Sequence, residues 1–518
     1  MYVTAWFSYK YLTLLLALIV LLGAGCSVSP SYPAYSPAQV RAEYAHIPAT
    51  VSPSGVETPA PLLAGEGIAT SAPPAGMHLK GHAQTELKYP LSLPRVLQIC
   101  MANNPNLQQT VERVAQAQAM QELAGSPFWP TVSFYTDYMQ GNAPSDYLFK
   151  VIDQRKLPPN VDFNDPGWFE NFETGLNARV NLFNAGRDYL GTRIATEDLY
   201  ISELERQEIR NNLKAQAITA FYDVLSAQEF VDIAAASVET VAEQLRITQV
   251  QYDGGGALKA DVLTLKVRLA QAEEVLVESK KRYALAKATL VHLMGLDPGE
   301  NSPELVLTPQ TAEIVFSVPE TYEDGVIYAF EHRPELEKMR RMLVKSRMGV
   351  DVSKAGYLPQ VDVLGKYYVD DPHMKYDLER ENWRAMVLFN WELFSGFSTR
   401  AQVKKADAVV RQMVAADREA ALNVKLEVQN AYLELEAARA RYAVAVNSVA
   451  SAEESYRLVS EYYRGGAVTL TRYLGAELDR NRARIHLSAA FYAKIKANAE
   501  YARAIGMLAD NFVADFNQ

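Results

Sequence analysis

The chain has 518 residues, of which 51 are basic and 61 acidic, for a formal net charge of −10. That acidic balance offers no general attraction to nucleic acid. Two cysteines make no disulfide framework, and 49% hydrophobic residues is ordinary for a chain that is not packed with membrane helices.

The N-terminus reads as a secretion signal over residues 1–25. Leu12 to Leu22 is an apolar core, followed by Gly23-Ala24-Gly25 and then Cys26. The run is too short to span a bilayer. The position of Cys26 resembles a bacterial lipobox, in which the cysteine receives acyl chains such as palmitate and becomes the mature N-terminus. Gly23 stands where Leu is usual, with Leu22 one step earlier, and only Lys10 is basic before the core. Ser27 resembles the outer-membrane sorting pattern. The other reading is cleavage near Gly25 without acylation.

Residues 26–89 are rich in Pro, Ser, Ala and Gly and read as a tether. His78 and His82 have a metal-binding spacing for a helix, but Pro73-Pro74 and two nearby glycines argue against one. A helix is predicted from about Leu93 to Leu123, interrupted by Pro105. Within it Cys100 reads as a buried small hydrophobe rather than a reactive thiol. After Pro127 and Pro130 the period changes from 3.6 to 2. Val132, Phe134 and Tyr138 share one face of a strand; Ser133 and Asp137 share the other. A polar loop is expected from Pro144 to Gly167. In the next strand Phe172, Thr174, Leu176, Ala178, Val180 and Leu182 alternate with Glu173, Asn177, Arg179 and Asn181. A helix from Arg187 to Tyr252 would be about 100 Å long. Asp253-Gly254-Gly255-Gly256 ends it, and a return helix runs from about Ala257 to Met294.

Everything then happens again. Tyr252, Gly254, Gly255 and Gly295 recur 211 positions later as Tyr463, Gly465, Gly466 and Gly506. Pro105 and Pro130 recur at an offset of 229, as Pro334 and Pro359, because the loop between the second pair of strands is shorter. The division is therefore 90–298 for the first repeat, 299–323 for the segment between repeats, 324–508 for the second repeat and 509–518 for a tail.

Four strands of about ten residues suit a membrane barrel, but four cannot close one. Open sheet edges cannot face lipid, so several chains must share the barrel. The first helix and the return helix, end to end, would reach about 104 Å, matching the long unbroken helix. Such pairs side by side would make a hollow cylinder. The alternative is a coiled-coil structural or adhesive envelope protein, which leaves the amphipathic strands unexplained.

Over residues 90–510 the chain resembles the TolC-type outer-membrane efflux proteins. The resemblance is carried by the doubled Pro-strand-loop-strand-long-helix order, the Leu-Phe-Asn-Ala-Gly and Leu-Phe-Ser-Gly strand ends, and the Tyr-x-Gly-Gly tips. It implies a mainly α fold with membrane β: a homotrimer with a twelve-stranded barrel in the outer membrane and an α-helical tunnel in the periplasm. It implies passive export of cargo delivered by an inner-membrane pump and a periplasmic adaptor. It places adaptor contact at Gly254, Gly255 and Asp261 of the first tip and at Gly465, Gly466 and Thr469 of the second. Some members narrow the tunnel with aspartates just after the second tip; here Arg472 and Gly475 stand there. Arg472 is the candidate gate, as a cationic ring or paired with Glu461; the alternative is a solvated tip arginine. Seven scattered histidines form no catalytic, zinc or phosphate-binding arrangement, so no enzyme, cofactor or metal is expected.

Overall fold

A computed structural model describes residues 90–297, 305–308, 316–375 and 378–509. The chain separates into two compact units, a sheet unit (Val111–Glu205 and Glu335–Ala420 among the described residues) and a helical unit containing the rest of them. Among the described residues no helix is long and apolar enough to cross a membrane.

The repeat is explicit in the elements. Helices α1 (Leu93–Asn103) and α2 (Pro105–Gly125) lead to strand β1 (Thr131–Gly141), helix α3 (Pro144–Asp153) and strand β2 (Phe169–Phe183). The long helix α4 (Arg187–Asp253) and the return helix α5 (Lys259–Leu293) complete the first copy. The second consists of α6 (Tyr322–His332), α7 (Pro334–Lys354), β3 (Gln360–Asp371), β4 (Glu381–Asn390), α8 (Ser398–Arg464) and α9 (Leu470–Ala504). Both long helices have 67 residues and both return helices have 35. The predicted break at Pro105 is present. The loop expected from Pro144 is in its first part helix α3: Pro144 sits at its start, where its fixed φ favours a helix and no amide is needed, and Val151 is buried beneath it.

In the sheet unit the strands form one antiparallel sheet in the order β1-β2-β3-β4, with β1 and β4 as open edges. Phe134 lies opposite Leu176, Tyr138 opposite Phe172, and Val363 opposite Val387, so the apolar residues collect on one face as their alternation requires. The repeat extends to the hydrogen-bond ladder. Every pair of β3–β4, from Gln360↔Asn390 to Val369↔Glu381, is the counterpart of a β1–β2 pair, from Thr131↔Arg179 to Gln140↔Glu170.

In the helical unit the main core gathers Leu93, Leu97 and Cys100 of α1, Ile218 and Phe221 of α4, Leu290 and Met294 near the end of α5, and Ala499 of α9. Cys100 is fully buried, which pushes its thiol up to about 12. The α1–α2 break is a built joint. Asn104 precedes Pro105 and is held extended by it. Its Oδ1 accepts from the Asn106 amide at 3.0 Å, and its Nδ2 donates to the Leu293 carbonyl at 2.9 Å, tying α2 to the end of α5. Arg333, before Pro334, repeats this by donating from Nη1 to the Ala504 carbonyl at 3.2 Å.

Candidate channel wall and hairpin tips

One face of the sheet is polar and charged. At the end nearest helix α3, Glu173 of β2 accepts from Lys366 of β3, from Lys150 of α3, and from the Tyr135 hydroxyl at 2.7 Å. Lys150 also reaches Asp370 Oδ1 at 3.0 Å. Asn171 donates to Asp370 and accepts from Gln154 Nε2 at 2.8 Å. Asn171 and Asp370 are buried, and two ammonium groups balance two carboxylates, as burial of charge requires. The network fastens α3 onto the charged face of the sheet. Alternation had assigned Glu173 to that face, but the partner Lys150 was missed because its helix was read as loop. The signal was present: opposite charges on polar faces that must meet.

The other face is apolar and exposed, with aromatic residues toward its ends: Phe389 at one, Tyr138 and Trp383 at the other. That arrangement suits lipid in the middle and headgroups at the rims. Trp391 donates from Nε1 to the Tyr357 carbonyl at 3.0 Å, leaving its ring half-exposed. Where the strands enter the long helices both copies use two consecutive left-handed residues, Ala185-Gly186 in the first and Gly396-Phe397 in the second.

At the opposite ends of the long helices lie the tips. Gly255 (φ +78°) and Gly466 (φ +76°) take the left-handed conformation that reverses the chain. Gly254 and Gly465 precede them and donate to the Val250 and Glu461 carbonyls, each at 3.1 Å. The return helices are capped differently. Thr469 Oγ1 accepts from the Arg472 amide at 3.3 Å. Its counterpart Leu258 has no side-chain acceptor, so Asp261 reaches back to the Leu258 amide instead, at 3.4 Å. The two tips share a core: Leu265 and Val241 of the first pack with Leu470, Tyr473 and Leu474 of the second, and Tyr473 stacks on Tyr463 with ring centres 4.9 Å apart. The sequence had not linked the tips to one another.

Arg472 is exposed. Glu461, one partner considered for it, instead takes Arg457 at 2.8 Å. Close by is an acid that sequence reasoning missed. Glu477 is buried, accepts from Ser237 Oγ at 3.2 Å and from Asn481, and its carboxyl is pushed up by burial. Cys26, His78 and His82 lie outside the described residues. Among the described residues no three His, Cys, Asp or Glu side chains are grouped to hold a metal ion.

The sequence pattern of the family described as "Outer membrane efflux protein" matches residues 96–296 and 328–507. Protein CyaE of Bordetella pertussis is 23% identical over 440 residues, 82% of this chain and 86% of its own length. The pyoverdine export outer membrane protein OpmQ of Pseudomonas aeruginosa is 22% identical over 420 residues, 80% of this chain and 85% of its own. The fold superposes on the Campylobacter jejuni CmeC outer membrane channel with a TM-score of 0.70 at 16% identity, covering 82% of this chain and 88% of that one.

Proposed function

This chain belongs to the outer membrane efflux protein family, as a channel component in the outer membrane, and from that premise we propose that it is the passive exit duct of a tripartite export machine. Three copies pool their four strands into one twelve-stranded barrel, and their helices continue it as a tunnel in the periplasm. The observation that carries this reading is the sheet itself. It has one greasy face, one charged face and two unpaired edges, which only a closed multi-chain barrel reconciles with lipid.

The tips receive a periplasmic adaptor that couples the duct to an inner-membrane pump. Gly254, Gly255, Asp261, Gly465, Gly466 and Thr469 are the contact residues, supported by the sharp reversals at the two glycine pairs and by exposed Leu258 and Leu263 beside them. Cys26 carries the acyl chains that add an anchor in the membrane. Arg472 lines the entry.

Purified protein tests the duct. Heat-modifiable trimers on a gel together with ion conductance in planar bilayers support it. An elongated particle without conductance supports instead the coiled-coil envelope reading. Mass analysis of the N-terminal peptide tests Cys26: an unmodified cysteine on membrane-extracted protein removes the lipid anchor.

A further inference from the structure

The repeat also determines how neighbouring protomers join. Residues of β1 map onto β3 with an offset of 229, and residues of β2 onto β4 with an offset of 211, and the observed β3–β4 ladder obeys both offsets at every pair. Among the described residues, only the β2–β3 ladder lacks a counterpart. In a closed barrel its counterpart would be a ladder between β4 of one protomer and β1 of its partner.

A second observation marks the place of that missing ladder. β2 runs to Phe183, and its last residues are paired with β3 alone. The equivalent residues, Trp391 to Phe394, follow the end of β4 at Asn390 and have no strand beside them among the described residues. Leu393 is 80% exposed and Phe394 72%.

We propose that the seam between protomers repeats the β2–β3 register, residue for residue. Leu176↔Tyr367 becomes Val387 against the partner's Tyr138, Ala178↔Gly365 becomes Phe389 against the partner's Thr136, and Val180↔Val363 becomes Trp391 against the partner's Phe134. β4 then lengthens through Phe394 on assembly. On the charged face the Glu173–Lys366 ion pair becomes Arg384 with the partner's Asp137, the same contact with the charges exchanged. Both side chains are exposed on opposite edge strands. Arg384 lies directly across from Lys366 within its own sheet, a like charge that an acid on its other side offsets.

The proposal rests on the trimeric duct, and its test separates the two. Residues directly opposite across antiparallel strands are within disulfide reach. A chain carrying Phe389→Cys and Thr136→Cys, oxidised in membranes, gives a covalent trimer on a non-reducing gel. The pair slipped by two residues, Phe389→Cys with Phe134→Cys, gives less. A better yield from the slipped pair, or no product from either while heat-labile trimers persist, overturns the register. Absence of trimers from the unsubstituted chain overturns the duct itself. As a second measurement, Arg384→Gln, Asp137→Asn and the double variant form a cycle in which the melting midpoint of the double variant departs from the sum of the two single changes by a few degrees. Additive losses overturn the ion pair.

Discussion

Asn104 and Arg333 hold the same joint in the two copies, each donating to a carbonyl at the end of its return helix, Leu293 in one and Ala504 in the other. The joint is tight on the glycine side as well. A Cβ on Gly295 (φ +71°) would lie 2.3 Å from the Asn103 carbonyl oxygen, and one on Gly506 (φ +85°) 3.1 Å from that of His332. Gly295→Ala therefore combines a backbone clash with left-handed strain, and we expect a loss of about 3 kcal/mol or more. Gly506→Ala carries mainly the strain, about 1–2 kcal/mol. Denaturant melts of the two variants check the order; equal losses would show that the Asn103 backbone yields freely.

The second joint carries a charge network. Buried Arg333 and half-buried Arg503 both bind Glu427. Burial pushes the Glu427 carboxyl up, but the two guanidinium groups outweigh it and hold it below the usual 4.5. A depressed folded value contributes stability above pH 4.5 that is lost as pH falls through the folded value. Glu427→Gln should lower stability by about 2 kcal/mol at pH 7. It should also flatten the decline between pH 5 and 3, as followed by circular dichroism. An unchanged acid limb would assign that decline to other carboxylates.

At the tips the caps differ in strength. Thr469→Ala removes the side-chain acceptor from the start of α9, at a cost of about 1 kcal/mol. Asp261→Ala removes only the longer contact to Leu258 and should cost less. Limited proteolysis reads both as faster cleavage at the glycine pairs. If adaptor binding weakens for Asp261→Ala without faster cleavage, Asp261 acts by contact rather than by capping.

For Arg472 the expected outcome concerns ions. Arg472→Ala should raise single-channel conductance and shift the reversal potential in a salt gradient toward cation preference. If both stay at the unsubstituted values, Arg472 is a solvated tip arginine with no part in gating.

Much of the fold was legible because periodicity and punctuation repeat in the sequence. Pro105, Gly255 and Gly466 mark their boundaries by backbone chemistry alone, and the strand faces follow from alternation. Helix α3 escaped because a ten-residue helix gives few turns of periodicity, and Pro144, Ser145 and Asp146 read equally well as a loop. The contacts of Lys150 with Asp370 and of Arg503 with Glu427 escaped because they join residues far apart in sequence. Charge says that a buried ion needs a counterion; only the packing says which. Arg472 was singled out because it stands where some family members carry a narrowing aspartate, but Arg457 had already taken Glu461 from the adjacent turn.

Because the β3–β4 ladder matches β1–β2 in register, a trimeric barrel would have a wall of six like-built panels, two from each of three copies of one gene product. A codon change alters only alternate panels, leaving their neighbours as they were. One panel type was thereby free to carry Glu173 where the other carries Arg384, so the bore could acquire an alternating pattern around its circumference while its joinery stayed unchanged.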